Sequence, residues 1–166
     1  MRRRGKLYHD LALAAFGRIS DFCSHAGLWR GGPVSKEREA EFTTYATVRT
    51  LAAIDSGAGS GGVWDYNGVM QSANGDGPFN NMTARCLQNW TNLGEQFHIV
   101  GSCVLTDIDG DTIFDVFEGA NSELTSGTGK YKGIIGRGSI TRTRLHDLAG
   151  GDRALVNHHK VSWEIK

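Results

Sequence analysis

The groups in this sequence best placed to exchange protons lie on short runs of alternating polarity. Asp115 and Glu118 fall in "TIFDVFEG", Tyr66 in "VWDYNGVM", and Asn157 and His159 in "ALVNHHKVSWEIK". In an extended chain, alternate side chains share a face. The last run then places Leu155, Asn157, His159, Val161, Trp163 and Ile165 together, opposite His158, Lys160, Ser162 and Glu164. The second set reads as solvent-facing, so Asn157 and His159 are expected to look inward with Trp163. In "TIFDVFEG", Phe114, Val116 and Glu118 oppose Ile113, Asp115 and Phe117. One carboxylate is therefore semi-buried whichever face is inside. Burial raises a carboxyl pKa, and a neighbouring imidazole or phenol can then share its proton.

This is the equipment of cofactor-independent acid–base catalysis of the isomerase, cyclase or lyase kind. Glu118 or Asp115 would supply the carboxylate. His159 and Tyr66 would be its proton-transfer or hydrogen-bonding partners, oriented by Asn157. Trp64, Met70, Met82, Cys86, Trp90, Phe114 and Trp163 would wall a site for a small apolar organic molecule. The plainer reading of each position is a hydrogen-bonded or space-filling core residue, and Cys86 and Cys103 fit it well. A non-catalytic carrier or stereochemical guide would use the aromatic wall alone. A structural oligomer would have its interior packed shut.

A second candidate chemistry is calcium binding by Asp107, Asp109 and Asp111 in "TDIDGDTIFDVFEG". Counted from Asp107, an EF-hand loop finds acids at positions 3, 5, 9 and 12 but Thr112 at position 6, where the turn needs glycine. Ile113, Phe114 and Val116 then continue as a strand rather than a helix. Asp109-Gly110 between two alternating runs is a hairpin signal, with both residues of a type I′ turn at positive φ. Weak calcium binding at the tip is the minor reading. His158 and His159 do not form a metal pair, because adjacent strand residues point apart. No zinc-type spacing, nucleophile elbow or cofactor motif is present.

The elements that would position these residues follow from residue 41 onward. "EFTTYATVRTLAAI", "VWDYNGVMQSA", "FNNMTARCLQNWTN", "QFHIVGSCVLT", "TIFDVFEG", "SITRTRLHDL" and "ALVNHHKVSWEIK" are strand-length runs, each ended by glycine or aspartate turns. No helical apolar period lies between them, which disfavours a parallel βαβ sheet. Sequential strands with short turns form an antiparallel meander, and closure removes its edges. The expected fold is all-β: an antiparallel eight-stranded up-and-down barrel over residues 41–166. A two-sheet sandwich is the competitor. Residues 1–40 read as an N-terminal extension, with a short amphipathic helix (Leu7, Leu11, Ala14, Ala15, Ile19) as one reading.

Composition narrows the classes. The chain has 166 residues, 39% hydrophobic and 22% charged, which suits one globular domain. Its 23 glycines against 2 prolines punctuate many short strands. Eighteen basic residues balance eighteen acidic ones, and Arg2-Arg3-Arg4 alone makes no nucleic-acid surface. No stretch approaches a membrane span. The apolar part of the N-terminal segment, Leu11 to Phe16, is short for a secretory signal. Cys23, Cys86 and Cys103 are expected as buried free thiols in a reducing, cytoplasmic setting, with one disulfide plus a spare thiol as the alternative.

"CVLTDIDGDTIFDVFEG" followed by "SGTGKYKGIIGRGSI" resembles the C-terminal half of the allene oxide cyclase-like, calycin-type barrel superfamily. Its relatives include plant allene oxide cyclases, dirigent proteins and many uncharacterised bacterial proteins. Gly127-Thr128-Gly129-Lys130-Tyr131-Lys132-Gly133 matches the superfamily's glycine segment, and the likeness covers about residues 95–165. It implies an eight-stranded barrel, an apolar ligand, no cofactor, assembly as homodimers or homotrimers, and in some members ring closure. The glutamate and cysteine used by the plant enzymes have no match in the N-terminal half, so no catalytic residue is carried over. As a phosphate cradle the glycine segment would need a helix to follow, and "IIGRGSITRTR" is strand-like.

Overall fold

The computed structural model describes residues 37–75 and 77–166. They form a closed antiparallel barrel of eight strands in sequence order. The strands are β1 (Glu37–Asp55), β2 (Ser60–Ser72), β3 (Met82–Leu93), β4 (Gln96–Thr106), β5 (Thr112–Glu118), β6 (Asn121–Gly127), β7 (Ile134–Asp147) and β8 (Arg153–Ile165). A 3-10 turn, Gly129–Tyr131, joins β6 to β7. β1 is already under way at Glu37, ahead of the expected start at residue 41. The expected N-terminal helix and Cys23 lie outside the described residues.

Alternation sets the inside and outside of each strand. On β1, Phe42, Thr44, Ala46 and Val48 are buried, while Glu41, Tyr45, Thr47 and Arg49 are exposed. On β3, Met82, Ala84, Cys86 and Gln88 are buried between exposed neighbours. Closure is complete where β1 pairs with β8, from Glu37–Glu164 to Val48–Arg153. Beyond Val48, β1 runs on beside β2 alone to Asp55, with a bulge between Thr50 and Ala52.

The β4–β5 hairpin forms where Asp109-Gly110 marks it, but with a different turn from the one expected. Gly110 alone takes a positive φ, 86°, while Asp109 does not. The Asp107 side chain organises the loop instead, accepting from the backbone N–H groups of Asp109 (2.9 Å) and Asp111 (3.0 Å). The ammonium of Lys130 pairs with the carboxylates of Asp107 and Asp109, so a side-chain cation sits where the calcium reading put a metal. Among the described residues, no group of three or more His, Cys, Asp or Glu could hold a metal ion.

The end bearing loops 73–81, 107–111 and 128–133 is plugged. Phe79 folds in from the first loop and Tyr131 from the last, and they join the fully buried Met70, Met82, Ile113 and Ile134. Phe79 stacks on Phe42 at 4.6 Å and meets the Trp163 ring edge-on at 5.3 Å. Burying each such side chain contributes about 1.5–3 kcal/mol. At the other end Trp64 stacks on Trp90 (5.3 Å), and the Arg153 guanidinium lies 5.0 Å from the Trp64 ring. Gly101 is among the glycines forced by close approach: a Cβ there would lie 2.6 Å from both the Leu87 carbonyl oxygen and the Phe117 ring. Its absence lets Phe117 lean across β4 over the interior.

Candidate functional site

Between the plug and the aromatic end lies a cavity with about 30 Å³ open to the centres of water-sized molecules. That is room for roughly two waters. Its apolar lining includes Phe42, Met70, Leu105, Phe117, Leu124, Ile140 and Val161. Besides the outward-facing Lys160, its polar lining comes from nearly every strand: Thr44 on β1, Tyr66 on β2, Gln88 on β3, Asp115 on β5, Ser122 on β6, Arg142 on β7, and Asn157 and His159 on β8. Each occupies the inward phase of its strand, which is what brings residues so distant in sequence together.

Two hydrogen bonds tie β8 to the first two strands across the interior. The Asn157 amide Nδ2 donates to the Tyr66 hydroxyl at 3.0 Å. Thr44 Oγ1 and His159 Nε2 are 3.1 Å apart. The His159 ring also stacks on Phe42 at 4.5 Å. Burial drives the imidazole pKa down to about 4, helped by the positive charge of Arg142, so at neutral pH His159 is uncharged. Burial likewise pushes the Tyr66 phenol up to about 12, so it keeps its proton.

Asp115 is the unusual member. It is 8% exposed, and burial raises its carboxyl to about 7, partly offset by Arg142. Its Oδ1 is buried without a hydrogen-bond partner, as is Oδ1 of Asn157. Arg142 donates from one guanidinium nitrogen to the Gly119 carbonyl and lies 5.2 Å from the Phe117 ring centre. Burial lowers its pKa, against the opposing pull of Tyr66 and Asp115.

The structure thus gathers Asp115, Tyr66, Asn157 and His159 around one cavity, with Met70 and Cys86 in its wall. Trp64 and Trp90 form the aromatic end, while Met82 and Trp163 are buried in the core outside the cavity lining. Phe114 and Glu118 lie on the outer face. Glu118 is 74% exposed and meets His98 at 3.0 Å on the barrel surface. Of the two carboxylates, Asp115 is the inward one, because Ile113, Asp115 and Phe117 form the buried face of β5. Phe114 and Glu118 therefore drop out of the candidate site.

The cysteine expectation is corrected too. Cys86 and Cys103 are directly opposed in the β3–β4 register and joined as a disulfide in the cavity wall. The free-thiol argument for a reducing compartment loses its premise. Sequence reasoning missed Thr44, Gln88, Ser122 and Arg142. The signal for Arg142 was available, since it shares the period-two phase of Ile134 and Ile140 in "IIGRGSITRTR". Compared with known proteins, the chain matches no family model, no curated protein and no solved structure.

Proposed function

We propose that the barrel interior binds a small organic molecule and acts on it by cofactor-independent acid–base chemistry, as an isomerase, cyclase or lyase. The observation that carries this reading is Asp115. A buried carboxyl with an unpaired oxygen and a pKa of about 7 is poised to take or give a proton near neutral pH. In this role the Asp115 carboxylate removes a proton from carbon beside a carbonyl. Arg142 and the Tyr66 hydroxyl stabilise the negative charge arriving on the carbonyl oxygen. Asp115 then returns the proton at another carbon, which makes the net change an isomerisation. Asn157, donating to Tyr66, turns the phenolic proton towards the cavity. His159 is neutral and serves as a hydrogen-bonding wall rather than a proton reservoir.

The narrowness of the cavity restricts this reading to compact molecules. It also favours a second reading, a structural barrel whose polar interior is closed around a few waters. Mass spectrometry of the denatured protein, joined to a turnover screen of small carbonyl compounds, separates the two. A bound or converted molecule supports the first reading, and Asp115→Asn should lower an identified turnover at least a hundredfold. Full turnover by that variant would refute the catalytic assignment.

A further inference from the structure

Arg142 is a cation turned into the interior of a barrel, and among the described residues no carboxylate lies within ion-pairing distance of it. Asp115 and Tyr66 act on it only through space. One nitrogen is held by the Gly119 carbonyl and the planar face is covered by Phe117. The remaining donors of its five N–H groups have no side-chain acceptor among the described residues. An uncompensated, partly buried charge is costly to keep. A guanidinium fork is also shaped to receive two oxygens of one carboxylate side by side.

Resting on the small-molecule reading above, we propose that the ligand is an anion: a compact carboxylate of about two to three carbons, its carboxylate held by Arg142 and its chain lying towards Asp115. The Tyr66 hydroxyl, already accepting from Asn157, donates to the same ligand. The carboxyl of Asp115 lines the same cavity, with its Oδ1 buried and unpaired. The short carbon chain lies against Phe117 and Ile140. The site thus selects by charge first and by size second, which sorts substrates more sharply than an apolar pocket can.

The test compares acids with their neutral isosteres on the full chain, by calorimetry and by NMR shifts of the Tyr66 and His159 ring signals, both from the cavity wall. Acetate and propionate are the probes, with acetamide and propionamide as controls. Saturable binding of at least one acid, tenfold or more tighter than its amide, is expected. Arg142→Gln should weaken it by tenfold or more, with Arg142→Lys in between. Acid and amide binding equally, or Arg142→Gln binding propionate as the wild type does, would overturn the anion assignment and leave the small-molecule reading standing. Saturation by no probe of either kind, with no co-purified molecule, would overturn both. If Arg142→Gln fails to fold, the acid–amide comparison on the wild type still decides.

Discussion

Replacing Asp115 by asparagine keeps the size of the side chain and removes its titration. In the unfolded chain this carboxyl loses its proton near 3.8, and in the barrel burial holds it until about 7. Below pH 3.8 both states carry the proton, and the wild type bears no penalty. Between 3.8 and about 7 the folded protein binds more protons than the unfolded one. The unfolding free energy therefore falls as pH rises, and the loss is complete above 7. At about 1.4 kcal/mol per pH unit, the full loss is at most about 4 kcal/mol. The asparagine variant escapes it, so its stability advantage over the wild type should grow by up to about 4 kcal/mol between pH 4 and pH 8. His159 titrates with the opposite sign over an overlapping range, and subtracting one protein from the other cancels its share. Urea unfolding of both proteins at half-unit pH steps reads the difference directly. A difference that stays flat from pH 4 to pH 8 would show that the folded carboxyl is solvated or paired, and the argument from burial would fail.

Other consequences are equally direct. His159 should titrate in NMR with a midpoint of about 4 instead of 6.5, so its stabilising share is complete above 6.5 and lost as pH falls through 4; an ordinary midpoint would show an open barrel. Reduction of the Cys86–Cys103 bond, which closes a loop of 17 residues, should cost about 3 kcal/mol, and a urea midpoint unmoved by reductant would contradict it. Gly101→Ala should cost about 1–3 kcal/mol by pushing Phe117 off the interior, while a neutral result in thermal unfolding would mean that β4 yields.

Much of the fold is legible in the sequence because one face of each strand is buried and the other is wet. Alternation in "ALVNHHKVSWEIK" places Asn157 and Trp163 inside and His158 outside, as found. "TIFDVFEG" is the opposite case. Both of its faces carry two apolar residues and one acid, so local pattern had no means of choosing between Asp115 and Glu118. Closure and the β4–β5 register made the choice. The disulfide has the same origin. Cys86 and Cys103 each looked like core filling, and only the β3–β4 register places one directly across from the other. Arg142 was passed over because a basic residue in a strand is ordinarily read as solvated. Its inward phase outweighed its charge, and the guanidinium found a backbone carbonyl and an aromatic face.

Closing a sheet into a cylinder normally leaves no stave with a bare flank. In this molecule the first stave outruns the eighth, which stops at Arg153, so among the described residues no neighbouring strand takes up the hydrogen-bonding groups on one side of the stretch from Arg49 to Asp55. It is rich in small and aliphatic residues, and Ile54 is 80% exposed. A straight overhang of that kind would invite a foreign strand to zip on. The extra residue at Leu51 kinks it, and that kink keeps the unclaimed flank from presenting a flat template to another chain.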